Sequence, residues 1–197
     1  MPEFTARPVP PMGITATADR AALEPRGPVL TRRMSALEGL FADAEAWSAA
    51  VEAGDPVVYE VASSPVPELA GELPQSITTI HPGAVGGELH MTKGHQHTRA
   101  RGEIYVGLSG VGGLLMHDGR ESAWIDMAEG VIGYIPPGWA HRSVNVGDEP
   151  YRFLAVYPGD AGHDYEWVLT HGMGRRVVRA RGGSGGPGTH EFLPYSP

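Results

Sequence analysis

The sequence predicts an all-β fold, a small sandwich or barrel with jelly roll among the choices, carrying one or two short helices near its N-terminus. Three observations lead there. Glycine (28) and proline (18) make up almost a quarter of the 197 residues, and both interrupt helix interiors. From Pro56 onward, short β-branched and aromatic runs follow one another at turn-like intervals, as antiparallel sheets require. His117-Asp118-Gly119-Arg120 sets Asp-Gly between two such runs, a hairpin signal. With 41% of residues hydrophobic, there is apolar material for one core, and the length suits one domain.

Taken in order, residues 1–30 are proline-rich and without period, and read as an extended arm lying on the body. Thr31 to Gly54 is the helical zone. Met34, Leu37, Phe41, Ala44, Trp47 and Val51 recur at steps of three and four, as one helix face does. Ser35-Ala36-Leu37-Glu38 has the spacing of a capping box, Gly39 divides the zone, and Gly54-Asp55-Pro56 ends it. Strands are expected over Val57–Val61, Ile77–Ile80, Gly86–Thr92, Glu103–Leu108, Gly113–His117, Ser122–Asp126, Val131–Ile135, His141–Val146 and Arg152–Tyr157, with a late strand or two over Val168–Val178. The body is thus a single domain over 31–180. The glycine-rich 181–197 reads as a flexible tail.

Charge narrows the partners. Fifteen Lys and Arg against 23 Asp and Glu give −8, which opposes binding to nucleic acid or an anionic membrane through bulk charge. An anionic ligand then needs a local device: a metal, aimed backbone N–H groups or a few side chains. No cysteine is present, which removes disulfides, thiolate metal sites and cysteine nucleophiles. The N-terminal segment lacks the apolar run of a signal peptide, and no stretch reaches the ~20 apolar residues that span a bilayer. The expectation is a soluble, cytoplasmic protein with a small-molecule partner.

The chemistry concentrates in Gly94-His95-Gln96-His97 and Glu103. On a strand, His95 and His97 project to one side, and two imidazoles with a carboxylate suit a divalent first-row metal. A lone histidine is more often structural, and a His-x-His pair alone is not decisive. A further histidine arrives in the stretch Gly130 to His141, followed by Asn145. His81, His90, His117, His171 and His190 read as turn or packing residues, and the four tryptophans as core or interface anchors.

Gly130, Pro136, Gly138, His141 and Asn145 fill every fixed position of the second motif of the cupin superfamily, which the chain therefore resembles. His95, His97, Glu103 and Gly110 match the first motif, with five residues between His97 and Glu103. That is more than usual and makes a longer hairpin excursion, Thr98 to Gly102, holding two arginines. The resemblance implies a cupin double-stranded β-helix, a jelly-roll barrel, in which His95, His97, Glu103 and His141 bind one divalent transition metal. Fe²⁺ comes first, with Mn²⁺, Ni²⁺ or Zn²⁺ as alternatives. The segments Asp55 to Val61, Met91 to His97 and Pro158 to Tyr165, with the helix start Arg32-Arg33-Met34-Ser35 leading to Glu38-Gly39, are similar to the cupin-type glucose-6-phosphate isomerases best known from archaea.

That resemblance implies an aldose–ketose isomerase of glycolysis and gluconeogenesis, interconverting glucose 6-phosphate and fructose 6-phosphate. The metal would hold the sugar's C1 and C2 oxygens and polarise the carbonyl. Glu103 would move a proton through a cis-enediol, unless a metal-assisted hydride shift makes a base unnecessary. Thr78, Thr92, Tyr157 and the Gly94 N–H are the implied phosphate donors, with Tyr59 beside them and Lys93 either there or solvated. His163 would assist ring opening, since an imidazole titrates near ~6.5. Tyr105, two residues past Glu103, contacts the sugar or packs. An Fe²⁺ oxygenase on the same ligand set, or a non-catalytic sugar-phosphate-binding cupin, are the competing readings, and a homodimer is the expected assembly.

Overall fold

The computed structural model describes residues 9–17, 19, 21–180 and 189–195. Fifteen strands are distributed as β1 (Thr15–Thr17), β2 (Ala22–Glu24), β3 (Val29–Arg33), β4 (Val57–Ser63), β5 (Gln75–Ile80), β6 (Ala84–Val85), β7 (Glu88–Leu89), β8 (Glu103–Ser109), β9 (Gly112–His117), β10 (Ser122–Met127), β11 (Ile132–Ile135), β12 (Ala140–Asn145), β13 (Tyr151–Val156), β14 (Arg175–Arg179) and β15 (His190–Pro194). A 3₁₀ turn, Met34–Leu37, and two helices, α1 (Ala44–Glu52) and α2 (Tyr165–His171), complete the described chain.

The barrel winds between two sheets. One has the order β11-β8-β13-β5-β4-β3 and the other β10-β9-β12. From β8 in the first sheet the chain crosses to β9 and β10, returns at β11, crosses again at β12 and comes back at β13. Every pairing is antiparallel, and the alternation is the jelly-roll winding of a cupin double-stranded β-helix. Leu114, Ile135, Ile80 and Tyr151 are fully buried between the sheets. A third sheet, β15-β14-β7-β6, flanks them, and a Met91–Val144 bridge ties residue 91 to β12.

Several details differ from the sequence reading. The segment expected as an extended arm contains a β1–β2 hairpin, whose buried Leu23 packs inward because a hairpin can offer an apolar face where an extended chain cannot. β3 also begins inside that segment and pairs with β4. The tail does not end as free chain: β15 pairs with β14 along five residues, while the glycine-rich 181–188 lies outside the described residues. The expected strand over 86–92 is instead the tight β6–β7 hairpin turning at Gly86-Gly87. The helical zone is a 3₁₀ turn and α1, separated at Gly39, whose φ of +74° ends a helix at little steric cost only without a Cβ. Ser35 forms no capping box. Its N–H and hydroxyl bond the Asp55 carboxylate at 2.7 and 2.8 Å, and Asp43 caps α1 by accepting from the Ala46 N–H at 2.8 Å. Within the stretch read as late strands, residues 168–171 belong to α2, set by Asp164 accepting from the Trp167 N–H at 3.0 Å.

Candidate metal centre and its cavity

His95 and His97 lie on the irregular segment after residue 91, joined to the barrel by two isolated bridges, His95 to His141 and Gln96 to Asp164. The first is double: the His95 N–H donates to the His141 carbonyl at 3.1 Å and the His141 N–H to the His95 carbonyl at 2.9 Å. His141 stands on β12 and Glu103 opens β8, on opposite sheets. The longer excursion 98–102 does not displace Glu103. Asp160 accepts from Arg101 at 3.0 and 2.8 Å and from Arg99 at 3.1 Å, folding the excursion back.

One ligand atom from each of His95, His97, Glu103 and His141 lies within 4.8 Å of the others. The Nε2 atoms of the three histidines and Oε2 of Glu103 are buried and have no hydrogen-bond partner. Glu103 Oε2 lies 3.2 Å from His97 Nε2 and 3.0 Å from His141 Nε2, close enough for ion pairs yet without hydrogen-bond geometry. Lone pairs aimed at one shared point give that arrangement. His97 Nδ1 meets the Arg101 carbonyl at 2.9 Å and His141 Nδ1 the Trp139 carbonyl at 3.2 Å. Protonation at Nδ1 then leaves Nε2 as the free lone pair. Four orphaned buried donors of N₃O chemistry fit a divalent transition ion.

Electrostatics agree at His95 and Glu103, while at His97 burial works to lower the imidazole but contacts with Glu103 and the Arg101 carbonyl outweigh it and raise it. Burial and the neighbouring imidazoles of His141, His163 and His97 push His95 well below an ordinary histidine, so it stays neutral. Burial works to raise the Glu103 carboxyl, but contacts from His141 and His97 outweigh it and hold Glu103 low, as a carboxylate.

A cavity of about 320 Å³ opens on this cluster, at the small end of ligand pockets. Tyr59, Thr78, Thr92 and Gly94 line it together with Tyr105, Tyr157 and His163. Thr92 Oγ1 accepts from the Ser143 N–H at 3.1 Å and keeps its own proton to donate. Tyr59 Oη accepts from the Lys93 N–H at 3.5 Å, while Lys93 Nζ sits 6.0 Å from the Tyr165 ring centre. Tyr105 stacks obliquely on Phe153, centroids 4.4 Å apart. The His163 ring stands 4.5 Å from His95 and 5.8 Å from Tyr157, and burial lowers its pKa. Two further wall residues are Glu68 and Tyr165. Glu68 accepts from Tyr157 Oη at 2.8 Å, and burial followed by that bond raises the phenol.

The family model described as Glucose-6-phosphate isomerase (GPI) matches residues 31–189. The chain belongs to the glucose-6-phosphate isomerase family. Its similarity to members of this family extends over most of both chains. It is 48% identical to the glucose-6-phosphate isomerase of Pyrococcus furiosus over 153 residues, 77% of this chain and 81% of the relative. It is 44% identical to that of Pyrococcus horikoshii over 174 residues, 87% and 92% respectively. Among solved structures it is similar to oxalate oxidase in complex with the substrate analogue glycolate, at 17% identity and a TM-score of 0.42 over 49% of this chain and 47% of that one. As a glucose-6-phosphate isomerase family member the chain is an enzyme.

Proposed function

We propose that this chain is a metal-dependent isomerase interconverting glucose 6-phosphate and fructose 6-phosphate. The observation that carries the reading is the set of four unpartnered ligand atoms meeting at the wall of a sugar-sized cavity, in a chain of this family. His95, His97, Glu103 and His141 would hold the ion, Fe²⁺ first among candidates, and it would supply Lewis-acid polarisation of the sugar's carbonyl. Glu103, ionised and lining the cavity, carries the proton between C2 and C1. His163 moves a proton at the ring oxygen during opening. Thr78, Thr92 and the Gly94 N–H receive the phosphate, Tyr157 joins them by turning its proton from Glu68, and Tyr59 steadies the Lys93 turn while Tyr105 bounds the sugar.

A coupled spectrophotometric assay of the metal-loaded enzyme should show turnover that a chelator abolishes and added Fe²⁺ restores. No turnover with Fe²⁺, Mn²⁺, Ni²⁺ or Zn²⁺ defeats the proposal. His141→Ala should remove bound metal, read by elemental analysis, and activity together. Reaction in D₂O should place deuterium at C1 or C2 of the product, and its complete absence would assign a hydride shift instead. The assembly we propose is a homodimer in the cytoplasm, supported by the exposed apolar residues Ile104, Ile132 and Tyr134 on the paired strands β8 and β11.

A further inference from the structure

β12 turns His141 toward the ligand cluster and Arg142, its neighbour, to the other side of the strand. Arg142 is only 4% exposed and forms no ion pair among the described residues. The nearby Glu88 carboxylate acts on it through space but is bonded to Arg176 at 3.0 Å. A buried cation without its own counter-charge is costly. What it touches explains its place: Arg142 Nη2 and Nε donate to one acceptor, the Lys93 carbonyl, at 2.8 and 3.2 Å.

The Lys93 carbonyl and the Gly94 N–H are two ends of one peptide unit. Among the described residues the only cis peptide is Glu24-Pro25, so this unit is trans and its two groups point opposite ways. With the carbonyl on Arg142, the N–H points away from that guanidinium, Gly94 lines the cavity, and the N–H has no hydrogen-bond acceptor among the described residues. A cation hydrogen-bonded to a peptide carbonyl polarises the unit and makes its N–H a stronger donor.

We propose that Arg142 is a positioning residue for the substrate's phosphate, delivering its charge through the Lys93–Gly94 peptide to the Gly94 N–H. The inference rests on the reading that the phosphate sits at Gly94. In a chain of net charge −8, this arrangement gives an anion positive potential without exposing a cation to the reacting sugar. Arg142 never touches the ligand. It fixes the direction of the donor and raises its strength.

The test is steady-state kinetics of the metal-loaded enzyme with inorganic phosphate as competitor, comparing wild type, Arg142→Gln and Arg142→Lys. Gln keeps a hydrogen bond to the carbonyl without the charge. R142Q should raise the inhibition constant for phosphate and the KM for glucose 6-phosphate together, by about tenfold, the size of one charge-assisted bond. Its kcat and metal content should stay within about twofold of wild type, and R142K should recover most of the affinity, as a charge effect requires. A phosphate inhibition constant unchanged in R142Q overturns the proposal, as does loss of metal and kcat with phosphate affinity intact. Wild-type turnover insensitive to phosphate overturns the phosphate placement itself, a failure distinct from that of Arg142. Should R142Q not fold, the Gly94 amide proton decides by NMR. It should move downfield as phosphate is added to wild type and nearly as far in R142K, and no movement in either of them overturns the proposal.

Discussion

Gly94 meets two demands at once, a φ of +73° and a Cβ position 2.9 Å from the His141 carbonyl oxygen. An added methyl therefore carries the cost of the left-handed region, about 1 kcal/mol, and pushes on the carbonyl that bridges to His95. Gly94→Ala should lower metal content and phosphate affinity together, measured by elemental analysis and by phosphate inhibition. Tyr157→Phe removes a hydroxyl already bonded to Glu68. It should raise KM several-fold, a net of about 1 kcal/mol for a hydrogen bond exchanged from Glu68 to the phosphate, with metal content unchanged. His95 and His97 are legible in the sequence because a His-x-His spacing pairs them, and His141 because it falls in a stretch that resembles the second cupin motif. Glu68 and Arg142 are not, since their partners lie 89 and 49 positions away and neither belongs to a period or motif.

At the level of elements, two helices of similar length rest on the same device, an aspartate cap. Asp43→Ala should lower stability by about 1 kcal/mol, seen as a fall of a few degrees in Tm, with activity unaltered because α1 stands away from the cavity. Asp164→Ala should lower stability similarly and also raise KM. α2 carries Tyr165 into the cavity wall, and Asp164 pairs by backbone with Gln96, between two ligand histidines. α2 was hidden in the sequence because seven residues show no helical period, whereas valine-rich 168–178 resembles strand. The core strands β8 to β13 could be read because each is a short run between turns, and in β8, β11 and β13 burial of one face enforces the alternation. The β1–β2 hairpin could not, since its three-residue strands depend on the surface beneath them.

Across the whole molecule, the excursion 98–102 is held to residues 158–163 by Asp160. Hydrogen bonding from Arg101 leads in lowering the Asp160 carboxyl from 3.8 to about 2, with the charges of Arg101 and Arg99 adding to it. A depressed folded-state pKa contributes stability that is complete above the unfolded value and fades as pH falls through the folded one. The stability difference between wild type and Asp160→Asn, followed by denaturant unfolding, should thus be largest above pH ~4 and shrink toward pH ~2. The outer face of β8 and β11 exposes Ile104, Ile132 and Tyr134, so on the proposed homodimer Ile132→Lys should shift the particle mass in light scattering from two chains to one. Because His95 and His141 are clasped backbone to backbone while Glu103 reaches them from the facing sheet, the proposed ion would work as a rivet through both walls. Heating must draw that rivet before the walls can part, and the midpoint of thermal collapse then becomes a gauge of how many copies are loaded.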